Sequence, residues 1–133
     1  MKNIPILVHE CNDLEIEYHG GSYNPHEGEN VWFIPYLSTP DMLALIELSN
    51  AENEDTLSVL VDDVCPVLVK VIDSWNWTHP LTGETMGMAI GNGERCKPGA
   101  DDISPLHPRE IVYLVNAFFE ETQPEEENPQ PAS

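Results

Sequence analysis

Basic residues are scarce in this chain. Five Lys and Arg face 24 Asp and Glu among 133 residues, a formal net charge of −19. A field of that sign repels phosphate backbones and anionic lipid surfaces, so nucleic-acid and membrane partners are disfavoured. It favours solubility and attraction to basic proteins. Cysteine is sparse as well. Cys11, Cys65 and Cys96 lie far apart with no C-x-x-C pair, which fits a reducing compartment better than a disulfide framework. No apolar run is long enough to span a bilayer, and the first residues lack a secretory pattern, so the expectation is a soluble, cytosolic protein. The length suits one domain with a single modest core.

Catalytic signatures are missing too. Ser22, Ser38, Ser58 and Ser74 have no G-x-S-x-G context. The glycine-rich stretch 91–99 lacks phosphate-loop spacing, and Pro98 after Lys97 blocks the helix start that such a loop needs. It reads as a flexible loop, with Arg95 and Lys97 as its one basic spot and Cys96 mildly activated between them. His9, His19, His26, His79 and His107 show no zinc spacing and read as turn or surface residues. Asp62 and Asp63 read as a solvated face. The chain therefore nominates no catalytic, cofactor-binding or metal-binding residue, and the reading is a protein that is not an enzyme and carries no cofactor.

What is present points to an α+β fold: a small β-meander or hairpin, a bundle of three to four helices, and a disordered acidic tail. Residues 4–8, 14–18 and 30–37 are strand candidates; the second alternates Leu14, Ile16 and Tyr18 with Glu15 and Glu17. Pro35 places the third at a sheet edge or at a bend. Thr39, Pro40 and Asp41 open a helix over residues 40–49. Leu57, Leu60, Val61, Val64, Leu68, Val71, Ile72 and Trp75 follow at three- and four-residue spacing, which predicts an apolar helix over 57–77 with a kink near Pro66. Residues 78–106 read as a long loop or one hiding a short hairpin at 86–90. A last helix over 109–121 is entered through Pro108, with His107 or Ser104 as its cap. The domain is 1–121, with a β-rich part at 1–38 and a helical part at 39–121; residues 122–133, rich in Pro and Glu, form the tail.

Three segments together carry a family resemblance. One is the strand and capped helix GENVWFIPYLSTPDMLAL at 28–45. Another is the run VIDSWNW at 71–77 with the turn Pro80-Leu81-Thr82-Gly83-Glu84. The third is the proline-entered helix HPREIVYL at 107–114. In this order, over about residues 28–121, the chain resembles the small tail assembly chaperones of long-tailed bacteriophages. The resemblance implies a non-catalytic protein of the host cytoplasm, absent from the finished virion. Its partner would be the apolar, helical tape measure protein, which it coats and keeps soluble during assembly. The tail tube protein is a second candidate partner, and self-association is allowed. Exposed apolar faces aggregate unless covered, and a heavily charged coat keeps the complex in solution. The three helices are expected to form the groove. Met42, Trp77, Met86, Met88 and Phe119 are the expected rim contacts, methionine being adaptable to varied apolar surfaces. The alternative function is an acidic inhibitor or nucleic-acid mimic that occupies a basic site on a host enzyme. Against it, the acids gather at helix starts and in the tail.

Overall fold

A computed structural model describes residues 4–50, 54–90 and 95–122. The chain opens with β1 (Leu7–Glu10), the hairpin strands β2 (Ile16–Tyr18) and β3 (Gly21–Tyr23), and β4 (Asn30–Phe33). Two helices follow, α1 (Thr39–Ser49) and α2 (Glu54–Val71). Then come β5 (Ile72–Trp75), β6 (Met88–Ile90), β7 (Arg95–Lys97), the short α3 (Ala100–Ile103) and α4 (Pro108–Thr122). The fold is α+β.

The sheet has five strands in the order β1-β4-β5-β7-β6, and every pairing in it is antiparallel. It therefore draws on both halves of the chain, and the β-rich part is not confined to residues 1–38. Alternation gives it two unlike faces. His9, Val31, Phe33, Trp75 and Cys96 point inward and are buried beneath the helices, Phe33 meeting Phe118 of α4 edge-on at 5.7 Å. Val8 and Trp32, which pair across β1 and β4, point outward.

The helix expected over 57–77 is shorter than its periodicity suggests. It ends at Val71, and the next residue starts β5, the middle strand of the sheet. The register between β4 and β5 explains the misreading. Val31 opposes Trp75, Trp32 opposes Ser74, and Phe33 opposes Ile72, so Asp73 is an extra residue in a β-bulge. The bulge lets Ile72 and Trp75, three residues apart, face the same core, a spacing that otherwise marks a helix. Two contacts stop the helix here. Ile34 donates its N–H to the Val71 carbonyl, and the Lys97 ammonium donates to the carbonyls of Val69 and Ile72. One continuous helix spans Pro66.

Other boundaries move by a residue or more for local reasons. Ser38, not Thr39, caps α1, its hydroxyl accepting from the Asp41 N–H. Asp41 in turn pairs with Lys70 of α2 at 2.9 Å. β4 ends at Phe33, before Pro35, so it lies inside the sheet, paired on both sides, rather than at an edge. The region 78–106 holds the antiparallel pair β6 and β7 and the helix α3, so a strand pair is present, at 88–90 and 95–97 rather than over the expected 86–90. Arg95 and Lys97 are strand residues, not loop residues. Arg95 lies over the Trp32 ring at 4.4 Å, and Cys96 between them is buried. Thr122 is the last residue of α4, and the rest of the expected tail lies outside the described residues.

Most of the helices' apolar stripes are closed, with Leu43 and Ile46 of α1 and Val59 of α2 left exposed. Leu45 and Leu48 of α1, Val64, Leu68 and Val71 of α2, and Ile111, Leu114, Val115 and Phe118 of α4 form one buried core with the inner sheet face. Full burial of each such side chain contributes roughly 1.5–3 kcal/mol, so these stripes are committed to folding. The expected inter-helix groove is not open.

Candidate functional site

The densest polar arrangement begins in the loop that leads into β4. The Asn24 side chain accepts from the His26 N–H and donates to the Cys11 carbonyl, which fixes the turn. This turn sends the His26 ring inward, where it is fully buried. Its Nδ1 lies 3.0 Å from Glu29 Oε1, and its Nε2 lies 2.5 Å from Glu110 Oε2. Glu29 also accepts from the backbone N–H and hydroxyl of Thr78 at 2.9 and 2.6 Å. Glu110 sits in the first turn of α4 and accepts from the His107 N–H at 2.7 Å, while His107 Nδ1 accepts from the Arg109 N–H. The Glu110 contact is one half of a capping box, and His107 Nδ1 satisfies the N2 donor in place of N3, which makes His107 the cap.

The ring also belongs to an aromatic column. His26 stacks on Trp77 with centroids 3.8 Å apart, and Trp77 stacks on Trp75 at 5.1 Å. Trp75 Nε1 donates to the Met86 carbonyl, whereas Trp77 Nε1 has no partner in the structure. Two carboxylates facing one ring need two bridging hydrogens, and a neutral imidazole carries one. The second comes from an imidazolium or from a protonated carboxyl. Neither ring nitrogen is left free to take a proton from a substrate, and solvent does not reach the ring. The arrangement clamps three distant segments, the 24–29 loop, residues 77–78 and the start of α4.

A second cluster joins β1 to the end of α4. His9 lies 2.8 Å from Glu121 through Nδ1 and 2.7 Å from the Tyr113 hydroxyl through Nε2; Tyr113 donates to Asp13 at 2.8 Å. Burial and the Asp13 carboxylate raise the Tyr113 pKa, and burial pushes the Cys11 thiol up to about 11. Groups with raised folded pKa values stabilise the fold below their unfolded values and lose that contribution as pH rises through the folded ones. Lys97 acts in the opposite sense, since burial holds its pKa below the ordinary lysine value. Burial raises the Cys65 thiol as well, so three groups against one predict falling stability above the ordinary thiol value of 9.0. Melting temperatures measured from neutral pH to 11 should decline through that window, and Cys11→Ala should flatten the decline. All three cysteines are buried, so none should react with an alkylating reagent until the protein unfolds.

The third feature is the outer sheet face. Ile6, Val8, Met88 and Ile90 are 44, 50, 77 and 38% exposed, and Trp32 lies half-buried among them under Arg95. Met88 and Ile90 pair with Lys97 and Arg95, so both apolar edges flank the Trp32–Arg95 centre.

The five expected rim residues separate in this fold. Met88 is on the outer sheet face. Met42, Met86 and Phe119 are half-buried, the last two packed against the core. Trp77 is 0% exposed, so it offers no atom to a partner: its ring is the middle of the aromatic column. Asp62 and Asp63 are exposed, as a solvated face requires. His9, a buried strand residue, departs from the expectation of turn or surface histidines; His26 lies in a turn as expected, with its ring buried. The spacing from Asn24 through His26 to Glu29 carried the local signal for His26; its partner Glu110 is 84 residues away and carried none.

Among the described residues, no helix is long and apolar enough to cross a membrane, and no group of three or more His, Cys, Asp and Glu side chains is arranged for a metal. Set against known protein families, curated proteins and solved structures, the chain has no match in any of the three comparisons.

Proposed function

We propose that this protein is a non-catalytic tail assembly chaperone that covers apolar helical segments of a phage tape measure protein in the host cytoplasm and leaves before the virion is complete. The observation that carries the reading is the outer sheet face. A chain of net charge −19 buries most of its helical stripes, yet leaves Ile6, Val8, Met88 and Ile90 together on one sheet face in water. Exposed apolar patches of this kind mark interaction sites. An amphipathic helix laid across such a face buries its own apolar side, while the acidic remainder of the coat keeps the complex soluble. The surface thus moves from the helical groove of the initial expectation to the sheet, with Met88 retained and Trp77 replaced.

Two copies meeting face to face would bring together two strongly negative molecules, which disfavours self-association as the use of this face. Co-expression with the tape measure protein tests the proposal. The wild-type chain should shift the tape measure protein from the pellet to the soluble fraction. Val8→Asp combined with Met88→Asp should abolish the shift with an unchanged circular dichroism spectrum. Leu43→Asp, on the exposed side of α1, should leave it intact. A soluble tape measure protein with the double variant rules out the sheet face. Failure of the wild-type chain rules out the chaperone reading. Docking through carboxylates on a basic enzyme, the inhibitor alternative, would dissolve at high salt, whereas apolar coating persists.

A further inference from the structure

A cavity of about 320 Å³ opens beside the first turn of α4. Leu81, Met86, Leu106 and Tyr23 form apolar or amphipathic walls, and Glu110 and Asp102 supply the acidic groups of the lining. We infer that this cavity is a receptor for an alkyl cation, the side chain of a lysine on a partner polypeptide.

The volume exceeds what a bare ion needs and suits a side chain. The walls match a four-carbon stem, which packs on apolar surface while its charged end seeks an acceptor. The charge balance also favours a cation. Glu29, Glu110 and Asp102 are three carboxylates within one connected arrangement. Against them stand the His26 ring and the His79 ring of the lining, each worth at most one positive charge, and the α4 N-terminus, worth about half of one. No Lys or Arg is in the lining. Glu110 is only 4% exposed, yet it borders the cavity, so an ammonium there meets a carboxylate largely withdrawn from water. Charge pairs are less screened in such a place than on an open surface. Glu110 is also held in position from behind by His26 and by the His107 N–H, so it is oriented before a ligand arrives.

The inference does not require that the partner be a tape measure protein, and its test uses none. The full chain, labelled at its methyl groups, is titrated with the peptide acetyl-Ala-Lys-Ala-amide, its Nε-acetylated counterpart, and 1,5-diaminopentane. The lysine peptide should shift the methyl signals of Leu81, Met86 and Leu106, and the acetylated peptide should not. Asp102→Asn keeps an oxygen to accept from the Gly99 N–H and removes one charge, so it should weaken the peptide about tenfold, the factor that corresponds to 1.4 kcal/mol. Leu81→Arg, at a position 89% exposed and free of folding duties, should place a resident cation at the cavity and abolish the shifts. Equal shifts with the acetylated peptide, or no shifts at these methyls with the lysine peptide, would overturn the assignment. Tighter binding of diaminopentane than of the peptide would overturn its attribution to a protein side chain in favour of a free amine.

Discussion

Replacing His26 by alanine is expected to lower the unfolding free energy by about 3–5 kcal/mol, the usual consequence of breaking a buried charged arrangement by removing one member. His26 touches two carboxylates and one indole, and none of these can turn to water without moving the chain around it. Glu110 is nearly closed off, so its Oε2 would lose its partner while remaining in place, whereas Glu29 would keep the Thr78 N–H and hydroxyl. The fold of a domain this size has a total stability of only about 5–15 kcal/mol, so the variant should populate unfolded molecules at moderate urea. A graded series separates charge from hydrogen bonding. Glu110→Ala removes both the His26 contact and the cap on His107, and should approach the His26→Ala loss. Glu110→Gln keeps an acceptor for the His107 N–H and can donate to a neutral ring, so its loss should be nearer 1 kcal/mol, the size of an ordinary hydrogen bond. Urea unfolding followed by tryptophan fluorescence measures all three. Equal midpoints for wild type and His26→Ala would show that the clamp contributes nothing.

Trp77→Ala should destabilise by a similar amount, about 3–5 kcal/mol for an aromatic ring removed from a packed interior. The ring is sandwiched between His26 and Trp75, so its loss leaves a void with a polar wall on one side. The unpartnered indole N–H makes a sharper version of the test available. Trp77→Phe removes that N–H together with some volume, so it should lose less than half of what alanine loses. A rim residue would behave otherwise: Trp77→Ala would leave the unfolding curve unchanged and reduce partner binding alone.

The sequence was most legible where local chemistry decides structure. Thr39-Pro40-Asp41 announced α1 to within a residue of its cap, and Pro108 announced α4 with His107 as one of two candidate caps, because capping is settled by neighbours in the chain. The sealed stripes were also visible as spacing. Their destination was not, since a stripe is apolar whether it meets another helix or a foreign one. The helix-to-strand change at Val71 was hidden by the bulge at Asp73, which copies helical spacing onto a strand. The far half of the clamp was hidden by distance: Glu110 is an ordinary acid among many until the fold brings it to the His26 ring. Lys97 and Arg95 read as a solvated basic spot because sequence alone does not reveal that one ammonium ends a helix and one guanidinium covers Trp32.

No spacer separates α2 from β5: the last helical residue and the first strand residue are consecutive. A rod and a ribbon welded in this way share every tilt. Any load placed on the ribbon's open side is passed directly into the rod, and Lys97, reaching across from the adjoining strand, ties the two sides of the weld with one hydrogen bond to each.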